Sequence, residues 1–187
     1  MYHQIAQDLL GTVQVDADRS RIELGGSEVA YHCDKFATRI IKGLEDVLGI
    51  DKASELLTQA AAKTSYDMLS SFVANEPAWS GLDVPGKLVA IFDIYKLQGY
   101  GAVTPESMDG GSTKVLSDSS YLAEGFFENM QRWGWMMRQK PFCHDMCGYL
   151  QAAFALATAK DLSAVKVRET GCRAAGSTTC VFDVEGS

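Results

Sequence analysis

The stretch "ETGCRAAGSTTC" (residues 169–180) decides how the end of the chain folds. It lies between the runs "AVKV" and "VFDV", whose alternating β-branched residues predict two strands. The polar segment "RAAGST" contains Gly176 and can reverse the chain, which predicts an antiparallel hairpin. Glu169, Cys172 and Cys180 are therefore expected close to one turn.

A second stretch, "FCHDMCGY" (residues 142–149), opens a predicted helix. Cys143 and Cys147 are four residues apart, so both thiols lie on one face of that helix. If this face packs on the final hairpin, it brings four thiols and an acid together. Zinc takes a tetrahedral set of sulfur, nitrogen or carboxylate ligands. His144 and Asp145 point away from the face of the two cysteines, so we give them less weight.

Spacing alone leaves the role of the cysteines open. Free cysteine often packs like a small apolar residue, and neither pair of cysteines forms a CxxC motif. A nucleophilic cysteine needs a base and an orienting group, and only His144 of the three histidines lies near these thiols in sequence. A metal site and simple core packing both remain open at this point.

The order of predicted elements gives the fold class. Helices precede a hairpin, and further helices precede the final hairpin, which indicates an α+β fold with an antiparallel sheet. The predicted helices cover residues 27–49, 51–73, 87–98, 121–138 and 142–159, and the predicted strands cover residues 100–107, 112–120, 164–170 and 178–186.

The beginning of the chain is predicted to be an arm, residues 1–26, followed by one domain, residues 27–187. The arm holds an amphipathic segment, residues 2–10, and two short strands, "TVQV" and "RIEL". Ser27 is expected to cap the first long helix, and Gly49 to end it. Asp51 is expected to cap the next helix.

Composition narrows the class of protein. Of the 187 residues 47% are hydrophobic and 22% charged, which is enough apolar material for a globular core. The net charge of −7 and the lack of a basic run argue against a nucleic-acid partner. We find no signal peptide and no apolar run near the ~20 residues that span a bilayer, so we expect a soluble, cytoplasmic protein without a membrane span.

The C-terminal third resembles the 4-vinyl reductase domain family. The resemblance rests on a helix cysteine in "CHDMCGY" followed by the pattern Glu-x-x-Cys-x7-Cys, which residues 169–180 match without a gap. It extends more loosely over residues 28–185. It implies a fold shared with TRAPP-type trafficking adaptors, an apolar pocket and a homodimer.

The resemblance also implies a metal site. In phenol-sensing transcription activators of the family, three cysteines and a glutamate hold structural zinc. Carried over to this chain, the ligands are Cys143, Glu169, Cys172 and Cys180. Cys147 is an extra thiol that can replace Glu169 or face the pocket.

The segment "FFENMQRWGWMMRQK" is longer than in relatives and rich in large apolar residues. We expect it to continue a helix to Arg138, so that Trp133 shares a face with Met136 and Met137. It supplies either core packing or one wall of an enclosed apolar pocket. The candidate ligand-binding residues are Ile91, Tyr95, Tyr100, Trp133, Trp135 and Met136.

No catalytic residue is assigned, because the chain has no Walker loop, GxGxxG, HExxH or GxSxG motif. The preferred function is a carrier, sensor or accessory module for a hydrophobic or aromatic ligand, with output through a protein partner. Three alternatives remain. One is an enzyme acting on a vinyl tetrapyrrole or related aromatic compound, with Cys147 or His144 near the chemistry. The others are a dimeric adaptor holding a lipid and a haem protein using His144 or His32.

Overall fold

The computed structural model describes residues 4, 7–8, 11–19, 21–24, 27–29, 34–107 and 112–186. The helices in these ranges are α1 (Asp34–Leu48), α2 (Ile50–Ala74), α3 (Val84–Leu97), α4 (Tyr121–Trp133) and α5 (His144–Thr158). The strands are β1 (Gln14–Asp16), β2 (Arg21–Leu24), β3 (Ser27–Val29), β4 (Gly101–Ser107), β5 (Ser112–Ser120), β6 (Lys166–Gly171) and β7 (Cys180–Glu185).

A four-stranded antiparallel sheet with the order β4-β5-β7-β6 forms the centre of the domain. The two predicted hairpins are β4–β5 and β6–β7, and the strands β5 and β7 join them. Val115 of β5 and Phe182 of β7 are directly paired, and both side chains are fully buried. The α+β class with an antiparallel sheet is thereby confirmed.

A small sheet with the order β1-β2-β3 forms near the start of the chain, and its third strand lies past residue 26, the predicted end of the arm. β1 and β2 confirm the two short strands predicted there. The expected cap at Ser27 is wrong, because Ser27 pairs with Leu24 in a third strand and α1 begins only at Asp34. Most of the predicted amphipathic segment (residues 2–10) lies outside the described residues.

Local caps set the ends of the helices. Gly49 has a positive φ of 80°, and its N–H donates to the carbonyl of Glu45 at 2.9 Å, so it separates α1 from α2 as predicted. Gly49 also precedes the first residue of α2, which places Asp51 inside the first turn and not at the cap. Asp83 caps α3 by accepting a hydrogen bond from the backbone N–H of Gly86. None of the helices in the described ranges is long and apolar enough to cross a membrane.

Helix α4 ends earlier than the sequence pattern predicts. Gly134 adopts a left-handed conformation with φ of 68°, which terminates the helix at Trp133. The expected continuation to Arg138 is therefore wrong. The helical face proposed for Trp133, Met136 and Met137 does not form, because residues 134–140 have no helical backbone.

A buried ion pair fixes the segment between α4 and α5. Both terminal guanidinium nitrogens of Arg138 donate to the carboxylate of Glu45 on α1, at 2.5 and 2.7 Å, and His144 Nε2 lies 3.1 Å from the same carboxylate. Burial alone would raise the pKa of Glu45, but the hydrogen bonds from His144 and Arg138 hold the pKa below its ordinary value. The carboxylate therefore anchors the entrance to α5.

The core is densest where α5 crosses α2. Almost every side chain of α5 is buried, including Leu150 and Phe154. Gly148 permits the close approach, because a Cβ atom there would lie 2.4 Å from the carbonyl oxygen of Thr58 and 2.6 Å from the backbone nitrogen of Ala62. A backbone this close to a neighbouring helix requires glycine.

We expect Gly148→Ala to destabilise the fold by about 1–3 kcal/mol or more, because the added methyl group meets backbone atoms that cannot move aside. Gly43→Ala is the matched control, since Gly43 is an exposed helical glycine with open space around it. That variant should be neutral or more stable by up to about 1 kcal/mol. Urea unfolding followed by circular dichroism measures both, and equal stabilities would contradict the packing argument.

Candidate metal centre and adjoining cleft

Four buried side chains meet where the final hairpin contacts the start of α5. The ligand atoms of Cys143, Glu169, Cys172 and Cys180 all lie within 4.8 Å of one another. None of the four residues is more than 6% exposed. The structure thus brings together the four residues that the resemblance implied, at a spacing that can hold a metal ion.

A bulge in β6 turns two of the four side chains to the same side. Glu169 pairs with Phe182 of β7, while Gly171 pairs with the adjacent Val181, so β6 carries one extra residue at this point. Residues three apart on a regular strand face opposite sides. The extra residue shifts that alternation by one, and Glu169 and Cys172 both point at the cluster.

The other two thiols come from separate elements. Cys143 is the residue before α5, and Cys180 is the first residue of β7 on its buried face. Their sulfur atoms are 3.8 Å apart. The backbone N–H of Cys143 also donates to Glu169 Oε2 at 2.9 Å, which holds the carboxyl group against the start of the helix.

The four groups perturb one another strongly. Hydrogen bonds from Cys143 and Cys172 hold the pKa of Cys180 at about 5, while hydrogen bonds with Cys172 and Cys180 raise the pKa of Cys143 well above its usual range. Burial and the neighbouring Cys172 raise the pKa of Glu169 to about 9. Glu169 Oε1 is buried with no hydrogen-bond partner in the described chain. Such a set of soft thiols and one orphaned carboxyl oxygen suits a divalent cation.

Cys147 lies outside the cluster, one turn further along α5. Its thiol hydrogen-bonds to the backbone of Glu169, and burial raises the pKa of the thiol well above its ordinary value. The suggestion that Cys147 replaces Glu169 is therefore not supported by the geometry. His144 Nε2 is engaged by Glu45, and His32 lies outside the described residues.

A cleft of about 330 Å³ lies on the other side of the α5 start, between α2, α3 and α5. Three tyrosine rings lie next to one another in its wall. The centroids of Tyr95 and Tyr149 are 4.4 Å apart, and those of Tyr95 and Tyr100 are 5.1 Å apart. The other lining residues are Leu57, Ala60, Ala61, Thr64, Ser65, Met68, Gln98 and Asp145.

Of the predicted ligand-binding residues, the structure brings Tyr95 and Tyr100 to this cleft. Ile91 is fully buried behind it, and its carbonyl accepts a hydrogen bond from the Tyr149 hydroxyl at 3.0 Å. Trp135 packs on Phe126 instead, with ring centroids 5.7 Å apart.

The remaining two candidates are at the surface. Trp133 is 55% exposed and stacks beneath the guanidinium of Arg39, whose Cζ lies 4.2 Å from the ring centroid. Met136 is 86% exposed. Neither residue lines the cleft, so a ligand contact by Trp133, Trp135 or Met136 stays a prediction.

Except for Tyr95 and Tyr100, the residues that line the cleft were missed by reasoning from the sequence, and three of them carry aromatic, charged or amide groups. Tyr149 and Asp145 are four apart on α5 and therefore share a face, which was a usable signal. Gln98 follows the last turn of α3 and gave no signal of its own. Burial raises the pKa of Asp145 to about 6, and the backbone hydrogen bonds and the nearby His144 offset only part of that rise.

Solved structures show which fold this is. One of them is the crystal structure of the phenol-responsive sensory domain of the transcription activator PoxR with phenol. It aligns with this chain at a TM-score of 0.81 and 18% identity, over 100% of this chain and 90% of that chain. The chain has the fold of that sensory domain. The fold relationship implied by the resemblance to the 4-vinyl reductase family is confirmed in this sense.

A trafficking relative shares the fold at greater distance. Trafficking protein particle complex subunit 3 from Naegleria fowleri, covalently bound to palmitic acid, aligns with a TM-score of 0.52, at 14% identity, over 82% of this chain and 95% of that chain. No protein-family model and no curated protein sequence matches the chain. Identities this low establish the fold and leave the function to the residues of the site.

Proposed function

We propose that the chain is a small-molecule binding module, a sensor, carrier or accessory protein, for a hydrophobic or aromatic ligand. The observation that carries this proposal is the tyrosine-walled cleft between α2, α3 and α5. Its volume of about 330 Å³ falls in the range of small-molecule sites. The related folds that bind phenol and palmitic acid support the same class of function.

The cleft has the chemistry of a site for a flat apolar molecule. Burying about 200 Å² of apolar ligand surface contributes roughly 5 kcal/mol at about 25 cal/mol per Å². Aromatic contacts add about 0.5–1.5 kcal/mol each, and association entropy opposes both gains. A net affinity in the micromolar range is expected.

We further propose that the cluster holds structural zinc through Cys143, Glu169, Cys172 and Cys180. Three thiolates and a carboxylate match the ligand types and the number that zinc takes in structural sites. Four protein ligands would leave no open position for substrate, so the ion would stabilise the fold instead of catalysing a reaction. Its place is suited to that role, because it joins β6, β7 and the start of α5.

A second candidate function is an interaction adaptor that holds a lipid in the same cleft. The palmitic acid of the trafficking relative favours it. Fatty acids therefore belong in any ligand panel, together with aromatics and the tetrapyrroles considered from the sequence. In either case, we still predict a cytoplasmic location and a further protein partner through which the effect of ligand binding is passed on.

We expect about one equivalent of zinc per chain in freshly purified protein, and loss of cooperative folding on chelation. Cys172→Ala should lose most of the metal. Cys147→Ala is the matched control, since Cys147 is an equally buried thiol outside the cluster, and it should keep the metal. Elemental analysis measures both variants. Well under half an equivalent in the parent, with an intact fold, would refute the zinc site.

We expect at least one member of a panel of aromatics, tetrapyrroles and fatty acids to bind with a dissociation constant below about 100 µM. Tyr100→Ala should weaken that binding about tenfold, because it removes one aromatic wall at the mouth of the cleft. Trp133→Phe and Trp135→Phe serve as comparisons in calorimetric titrations. If Trp133→Phe or Trp135→Phe weakens binding more than Tyr100→Ala does, the ligand binds near that indole and not in the cleft. If no member of the panel binds, the proposed function is refuted.

We also propose a homodimer, as the resemblance implies. The exposed apolar residues Phe36 and Ile40 on α1 offer material for such a contact. Light scattering at micromolar concentration should give twice the mass of one chain. A monomer mass across that range would exclude the dimer.

A further inference from the structure

We propose that the cleft between α2, α3 and α5 takes a ligand carrying a protonated amine on an aromatic or apolar body. This inference rests on the proposed function, since it names the ligand class for the same cleft. It follows from three features of the wall: the tyrosine rings, one carboxylate and one amide oxygen without a partner.

The tyrosine rings give the wall a negative electrostatic face. Tyr95 stands between two other rings, with Tyr149 tilted against it at 50° and Tyr100 stacked at 26°. Tyr100 is also 37% exposed, so part of its ring faces the open side of the cleft. The faces of aromatic rings attract ammonium groups, and clustered aromatic rings are the usual recognition element for alkylated ammonium ions.

The carboxylate of Asp145 supplies a full negative charge at the same wall. It lies close enough to Tyr95 and Tyr100 for its charge to act on both hydroxyl groups. Its Oδ1 accepts one hydrogen bond, from the backbone N–H of Met146 at 2.7 Å. No lysine, arginine or histidine is among the described residues that line the cleft. His144, the neighbouring residue whose charge also acts on Asp145, is bound to Glu45. A cationic ligand would supply the counter-charge on the cleft side of Asp145.

Gln98 adds a second acceptor. Its Nε2 points at the sulfur of Met68, 3.6 Å away, while its Oε1 is buried and has no hydrogen-bond partner among the described residues. A buried acceptor left without a donor costs free energy, so rotation of the Gln98 amide toward a ligand that donates a hydrogen bond would be favoured at this wall.

The acceptors discriminate between ligand classes. An ammonium group offers up to three N–H donors and a positive charge, which together suit the carboxylate, the amide oxygen and the ring faces. A neutral alcohol or phenol offers one donor without a charge. A carboxylate ligand such as a fatty acid offers only acceptors, and Asp145 repels it.

Three ligands of similar size and different charge test the proposal by calorimetry at about pH 8, where the amine is protonated and carboxylates are ionised. They are 2-phenylethylamine, 2-phenylethanol and 3-phenylpropanoate. We expect the amine to bind at least about tenfold more tightly than the alcohol, and the acid most weakly, since a charge-assisted hydrogen bond is stronger than a neutral one.

The variant Asp145→Asn keeps the acceptor oxygen for Met146 but removes the charge. It should abolish the preference for the amine over 2-phenylethanol, because it weakens binding of the amine far more than binding of the neutral alcohol. Asp67→Asn is the control, because Asp67 is an exposed acid on α2 outside the cleft, and the net charge changes equally. Circular dichroism and metal content confirm that both variants are folded.

The outcomes separate this inference from the proposed function. If the alcohol binds as tightly as the amine, or Asp145→Asn retains the preference, the amine inference is wrong and the apolar binding module stands. If no ligand in this set and none in the wider panel binds, both fail. Loss of amine preference in Asp67→Asn as well would show a long-range charge effect and overturn the role of Asp145.

Discussion

The start of α5 is the point on which the rest of the structure depends. Here three thiols and one carboxyl group are pressed together in the core, and the helix that begins at them is buried along most of its length. Burying such polar groups is unfavourable unless they satisfy one another or bind an ion. The cluster therefore has to form in one particular geometry, and that geometry fixes β6, β7 and α5 relative to each other.

A second constraint holds the same turn from the opposite side. The Glu45 carboxylate binds Arg138 and His144, which tethers α1 to the segment that leads into α5. Buried ion pairs of this kind add little net stability against an apolar alternative, but breaking one of them by removing a single partner is costly. The ion pair between Glu45 and Arg138 thus acts mainly to fix the position of the segment between α4 and α5.

These two constraints also place the cleft. Cys143 belongs to the cluster, Asp145 to the cleft wall, and Tyr149 follows one turn later on the same helix. A shift of α5 along its axis would move all three together. The Cys/Glu cluster and the cleft are therefore mechanically joined, although they lie on different sides of the helix.

The sequence alone located both hairpins and the five helices, because those features depend on local periodicity and turn residues. The four cluster residues were implied only by the resemblance to the 4-vinyl reductase family, since their spacing left both a metal site and core packing open. The sequence did not show that a bulge in β6 brings Glu169 and Cys172 to one side, since register is set by pairing with β7. It overextended α4, because the pattern of apolar residues continues past a glycine whose left-handed conformation ends the helix. The sequence also proposed Trp133 and Met136 as ligand contacts, but the packing of the chain leaves both side chains exposed. The aromatic wall of the cleft instead combines Tyr95, Tyr100 and Tyr149, which come from two helices and the segment before β4. Contacts between residues distant in sequence depend on how helices and sheet pack, and only the tertiary structure decides that.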